Sequence, residues 1–162
     1  SLPELIEDTL NAIKPLALEH NNLLDVQNDC PYETIQTDMY RLQEAIIQIL
    51  ENACKFTQNG KIIYSITAET VDGVDWVEFS VSDNGIGITP EQQKNIFDVF
   101  TQGDSEFTGK VEGIGVGLAI CRSYCRVMGG DIHYTSEKEK GSKFAIRIPT
   151  IISNKVHQIG VA

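Results

Sequence analysis

Residues 83–88 read Asp83-Asn84-Gly85-Ile86-Gly87-Ile88, a carboxylate and an amide followed by two alternate glycines. Alternate glycines let a backbone approach a ligand without Cβ contact. The run that leads into them, Trp76–Asp83, and its neighbour Lys61–Thr70 are rich in β-branched and aromatic residues and flank Asp72-Gly73, so they are predicted to pair antiparallel. The run that follows, Thr89-Pro90-Glu91-Gln92, supplies an N-cap, a proline at N1 and a glutamine at N3. It predicts a helix that ends near Phe97 to Phe100.

On the N-terminal side, Leu42, Ala45, Ile46, Ile49, Leu50 and Ala53 recur at i, i+3, i+4, i+7, i+8 and i+11, which puts one face of a helix from Asp38 to Phe56 against a core. A second amphipathic helix is expected over Pro3–Leu18, then short strands around Leu23–Gln27 and Thr34–Gln36. On the C-terminal side, Thr101–Glu112 mixes charge and glycine without periodicity and reads as a long loop, the kind that is functional more often than not. Leu118–Met128 is helical and stops at Gly129-Gly130. Asp131–Ser136 and Ser142–Ile148 read as two closing strands joined through Lys140-Gly141, and residues 150–162 as a tail or linker. Helices and mostly antiparallel strands in this order predict an α+β fold, a two-layer α/β sandwich with helices on one sheet face, in one domain over residues 1–149.

The chain has 162 residues, 41% of them hydrophobic and 22% charged, which suits a packed domain and excludes general disorder. With 23 acidic and 13 basic side chains the net charge is −10, so a broad grip on nucleic acid or anionic lipid is excluded and any anion must be met locally. There is no apolar run long enough to span a membrane and no signal peptide, so no direct membrane contact is expected of this segment. The chain begins at Ser1 rather than Met, and reads as part of something longer. Cys30, Cys54, Cys121 and Cys125 form no CxxC pair and are expected to be free thiols, mostly buried, in a reducing compartment.

A second glycine cluster, Gly113-Ile114-Gly115-Val116-Gly117-Leu118, is predicted to open a helix, whose N-terminal N–H groups suit phosphate. It is neither a Walker loop nor a good dinucleotide fingerprint, because the spacing is GxGxG and no Gly-Lys-Ser/Thr follows. On the polar side of the Asp38–Phe56 helix, Gln48, Asn52 and Lys55 lie at i, i+4 and i+7, within roughly 60° of one another. An amide oxygen can ligate Mg2+ and an ammonium can pair with phosphate. Taken alone, that face could equally be an ordinary solvated one.

Gln48-x-x-x-Asn52-Ala53-Cys54-Lys55-Phe56, Asp83-Asn84-Gly85-Ile86-Gly87, Ile96-Phe97-x-x-Phe100 and Gly113-Ile114-Gly115-Val116-Gly117-Leu118-Ala119 together resemble, in order and spacing, the N, G1, F and G2 boxes of sensor histidine kinases. The resemblance covers residues 3–149 and is to the catalytic ATP-binding domain, of the Bergerat-type fold shared with gyrase-, Hsp90- and MutL-type ATPases. It implies that Asp83 accepts a hydrogen bond from adenine, that Gly85 and Gly87 pass under the base beside Ile88, and that Ser142 helps hold it. It further implies that Asn52 ligates Mg2+, that Lys55 meets phosphate beside Gln48, and that Gly113, Gly115 and Gly117 shape the hinge of an ATP lid over residues 101–112. Phe97 and Phe100 would seat that lid, Phe100, Val116 and Leu118 would count among the nucleotide-binding residues, and Lys110 would be a γ-phosphate contact. The implied cofactors are ATP and Mg2+.

The partners implied are a dimerisation and histidine phosphotransfer domain of the same parent chain and a response regulator receiver domain, in the cytoplasm. His20, His133 and His157 lack the phosphoacceptor signature, so the accepting histidine is expected elsewhere. Gln48 stands where relatives carry Asn or, in the ATPases, a Glu general base, which disfavours hydrolysis as the main reaction. Gly109, Glu112 and Ile114 also depart from the family pattern. They motivate the alternative of a degenerate nucleotide-binding or scaffold module without phosphotransfer.

Overall fold

A computed structural model describes residues 1–98 and 110–151, and the side chains among them outside 110–116. Helix α1 (Leu2–Glu19) begins at Ser1, whose hydroxyl accepts from Glu4 N–H at 3.4 Å. Strand β1 (Leu23–Asn28) follows, then helix α2 (Met39–Lys55), strands β2 (Lys61–Val71) and β3 (Val74–Asp83), the short helix α3 (Pro90–Gln93), helix α4 (Lys110–Val127), and strands β4 (Asp131–Glu137) and β5 (Gly141–Pro149). The sheet order is β1-β2-β3-β5-β4; β1 pairs parallel with β2 and every other pair is antiparallel. That mixed, mostly antiparallel sheet with helices is the α/β sandwich expected, and α2 packs between α1 and α4 over one sheet face.

Alternation along the strands decides which face is covered. Ile62, Tyr64 and Ile66 on β2, Val77, Phe79 and Val81 on β3, and Ile146 and Ile148 on β5 point inward and are almost fully buried. They meet Leu42, Ile46, Ile49 and Leu50 of α2, all fully buried, each contributing on the order of 1.5–3 kcal/mol. Asp38 starts α2 by accepting from Arg41 N–H at 3.2 Å and pairs with the Arg41 guanidinium at 2.6 Å. The β2–β3 turn places Asp72 and Gly73 at φ 50° and 78°, the left-handed pair that an Asp-Gly hairpin uses.

Three local expectations are corrected. No strand forms over Thr34–Gln36: Gln36 makes a single parallel bridge to Ile151, with its N–H on Thr150 O at 2.7 Å. The capping box at Thr89 and Gln92 is present, but its helix stops at Gln93 instead of running to Phe97. The Gln93 carbonyl is shared between Tyr134 Oη–H at 3.2 Å and the Ile96 N–H three residues on at 3.5 Å, in place of the i→i−4 bond of a continuing α-helix. The following residues wind by i→i−3 bonds such as Asp98 N–H to Asn95 O at 3.0 Å. Finally, α4 begins at Lys110, not after Glu112, because Lys110-Val111-Glu112 holds no helix breaker and each added residue gains a backbone bond.

Candidate functional site

The two layers part where the C-terminal half of α2, the end of β3 and the start of β5 meet. There a cleft is lined by Asn52 from α2 and Phe56 at its C-cap, Asp83 from β3, Gly87 and Ile88 beyond it, and Ser142 and Phe144 from β5. Asp83 and Ser142 are partners across the β3–β5 ladder, so strand register sets their spacing.

Asp83 is the charged group of the cleft. Burial pushes its carboxyl above the ordinary value of 3.8, against the opposing pull of the Gly85 and Ser142 backbone N–H groups and of the Thr57 hydroxyl. The Gly85 N–H donates to Asp83 Oδ1 at 2.9 Å. Thr57 Oγ1 is buried beside this turn and closes no hydrogen bond of good geometry, so its pull is the weaker one. A carboxylate held this way keeps acceptor capacity facing the cleft.

The glycines of this turn answer to the protein's own backbone. A Cβ on Gly85 would collide with Phe56 O and Thr57 Oγ1, and one on Gly87, at φ 69°, with the backbone of Glu137. Within the protein itself, glycine is required here by a loop clamped between α2 and the β4–β5 turn. Ile86 N–H on Phe56 O at 3.2 Å and Glu139 N–H on Ile86 O at 2.6 Å close the clamp. Beside it, Ser136 Oγ accepts from Ile88 N–H at 2.8 Å and lies 2.7 Å from Ser142 Oγ, so the two hydroxyls share one network.

On α2, Asn52 is 4% exposed, Gln48 half-buried and Lys55 exposed. Gln48 Nε2–H donates to Asn52 Oδ1 at 3.4 Å, while Asn52 Nδ2 is buried without a partner. Gly117 of α4 rests on Gln48: a Cβ there would fall inside the Gln48 carboxamide. Gly113, Gly115 and Val116 lie within the helical backbone of α4 rather than at its start, and Leu118 is fully buried. Lys110 is the first residue of that helix. Phe100 and residues 101–109 lie outside the described residues.

Several contributing residues carry no motif. Asn22 donates from Nδ2 to Cys54 O at 3.2 Å and Thr57 O at 2.8 Å, and accepts Gly60 N–H at 3.1 Å, tying the end of α2 to the loop behind Asp83. Its position just after a helix, beside Asn21 at φ 55°, is the only local signal. Tyr134 stacks on Phe144 at 5.7 Å and meets Phe97 edge-on at 5.6 Å. Arg122 lies over Phe97 at 4.2 Å and pairs with Asp131 at 3.2 Å.

Residues 37–152 match the model of the family described as Histidine kinase-, DNA gyrase B-, and HSP90-like ATPase. The chain belongs to this family. It is 38% identical over 124 residues to the sensor histidine kinase RcsC of Escherichia coli, covering 76% of this chain and 12% of that protein. It is 37% identical over 121 residues to hybrid signal transduction histidine kinase B of Dictyostelium discoideum, covering 74% and 6%. Among solved structures, full-length ShkA in complex with AMPPNP superposes with a TM-score of 0.76 at 30% identity, over 94% of this chain and 31% of ShkA. The catalytic domain of histidine kinase ThkA gives 0.75 at 28% identity, over 93% of each chain. The chain therefore spans only a small part of its curated relatives.

As a histidine kinase-like ATPase domain, the site can be tested for a metal nucleotide. Mg2+ asks for oxygen ligands and commonly takes one or two protein groups, with phosphates and waters completing its sphere. Among the described residues no cluster of three or more His, Cys, Asp or Glu could hold a metal by itself. The donor set fits a cation that arrives with its phosphates: one amide, Asn52, in a pocket with a buried unpartnered polar atom, and the exposed ammonium of Lys55 one turn on.

Proposed function

We propose that this chain is the catalytic ATP-binding domain of a sensor histidine kinase, which binds Mg-ATP and donates its γ-phosphoryl group to a histidine on a separate dimerisation domain of the parent chain. The observation that carries the reading is the half-buried Asp83 carboxylate, held by the Gly85 and Ser142 backbone N–H groups and lining one cleft with the buried Asn52 amide. The family match and the likeness to a kinase solved with AMPPNP support it.

In this reading Asp83 accepts from the exocyclic amine of adenine, a charge-assisted bond of about 1.5–3 kcal/mol. Ser142, beside Asp83 on the next strand and tied to Ser136, would help hold the base. Asn52 would hold the metal, Lys55 would meet the phosphates, and Gly117 would seat α4 against Gln48. When bound, Mg2+ supplies charge neutralisation along the triphosphate. The rest of catalysis is positioning: this chain orients the phosphates and leaves the attacking group to the partner domain. Gln48 has no carboxylate to activate water, which favours transfer over hydrolysis.

Among the described residues no helix is long and apolar enough to cross a membrane. We place the domain in the cytoplasm, where ATP is available, with a receiver domain as the onward acceptor. The test is a calorimetric titration with AMP-PNP and Mg2+, followed by addition of the parent chain's histidine domain and ATP. Binding followed by acid-labile phosphohistidine is expected. Binding without phosphohistidine would overturn the kinase reading in favour of a nucleotide-binding scaffold, and no binding would overturn both.

A further inference from the structure

The geometry points to Gln48 as a positioning residue that turns the Asn52 carboxamide, so that its oxygen is offered to the metal only when the two amides reverse together. This rests on the proposed reading of Asn52 as the metal's ligand. Gln48 Nε2–H donates to Asn52 Oδ1 at 3.4 Å, which occupies the atom a cation would need. The same orientation leaves Asn52 Nδ2 buried and without a partner, a state that buried donors rarely keep. Rotating both carboxamides by half a turn exchanges the roles. Asn52 Nδ2–H then donates to Gln48 Oε1, and Asn52 Oδ1 points where the unpartnered nitrogen was.

Packing closes one alternative to that motion. The Gln48 carboxamide lies directly under the Cα of Gly117, with no room for a Cβ between them, so the side chain cannot lift toward α4. Rotation about its terminal torsion, which is broad and roughly two-fold for an amide, stays open. Asn52 is nearly fully buried, and Gln48 is only half-buried, so after reversal the Gln48 nitrogen faces water or an anion while Asn52 is satisfied within the pair. A residue behind a metal ligand that orients it typically changes metal affinity by about 10–100-fold when lost.

The experiment is calorimetric titration of the chain with AMP-PNP in excess Mg2+ and again in EDTA, the readout being the ratio of the two affinities. Gln48→Leu, one atom shorter and unable to hydrogen-bond, is expected to lower the Mg2+-dependent gain about tenfold while leaving the EDTA affinity and the melting temperature near the wild-type values. Gln48→Glu offers only acceptors to Asn52 Nδ2, so it is expected to keep the gain; any repulsion of the nucleotide enters both titrations and cancels in the ratio. The full gain retained in Gln48→Leu, or lost equally in Gln48→Glu, would overturn the proposal. Asn52→Ala separates the two levels: the gain should vanish, and its persistence would overturn the reading of Asn52 itself.

Discussion

Removing the Asn22 side chain tests whether the cleft is held from behind by one buried amide. Asn22 is 7% exposed and makes three hydrogen bonds, two from Nδ2 to Cys54 O and Thr57 O and one at Oδ1 from Gly60 N–H. Cys54 O is one of the last four carbonyls of α2, which have no partner within the helix. At about 1 kcal/mol net for each bond, Asn22→Ala should cost about 3 kcal/mol, which for a domain of this size lowers the melting temperature by about 6–12 °C. Asn22→Asp keeps the acceptor for Gly60 but turns an anionic oxygen toward two carbonyls. It should be less stable than Asn22→Ala at neutral pH and regain stability as acid protonates it. Urea unfolding monitored by circular dichroism reads both. A loss below about 1 kcal/mol for the alanine variant, or an aspartate variant as stable as the wild type, would refute the idea that these bonds hold the end of α2 to the loop behind Asp83.

Asp83→Asn should lower AMP-PNP affinity by about tenfold or more while raising the stability of the free domain, because burial lifts the native carboxyl above its ordinary value of 3.8. Between that value and the raised one the native state binds more protons than the unfolded chain, so wild-type stability falls as pH rises through the window; the advantage of the variant should be full above the window and close below it, in denaturation series across pH. Gly73→Ala and Gly141→Ala both load a positive φ, at 78° and 111°, but only the second meets backbone, at Asp83 O. The first should cost about 1 kcal/mol and the second clearly more, and equal losses in urea would be contrary to the contact. Cys54, Cys121 and Cys125 are buried, and burial together with Glu51 and Asp83 pushes the Cys54 thiol up to about 11, so native alkylation near pH 8 should label Cys30 alone among the four, as counted by intact mass. Labelling of more than one thiol before unfolding would contradict the packing.

The elements themselves were legible because burial of one face leaves a period in the chain. The Leu42-to-Ala53 pattern places α2, the Asp72-Gly73 turn places the β2–β3 hairpin, and the Gly129-Gly130 stop places the end of α4, each within a residue or two. Where local signals misled, a distant group had intervened. The Thr89 capping box promised a longer helix, yet beyond Gln93 the chain winds by i→i−3 bonds, and the Gln93 carbonyl is shared between Ile96 N–H and the Tyr134 hydroxyl, 41 residues away. The Thr34–Gln36 segment has strand composition, yet only Gln36 finds a neighbour, at Ile151.

The order and spacing of Asn52, Asp83 and the glycine clusters were sufficient by themselves to mark the family, since they are set by chain chemistry at single positions. What those residues touch was decided by tertiary structure. Gly85 and Gly87 are glycine because Phe56 and Glu137 crowd them, Gly117 because Gln48 lies beneath it, and Asn22 contributes only because the ends of α1 and α2 converge. Such pairings join residues tens of positions apart through sheet register and helix packing. No local periodicity records them, because hydrophobic patterning fixes which face turns inward and leaves open which polar groups then meet.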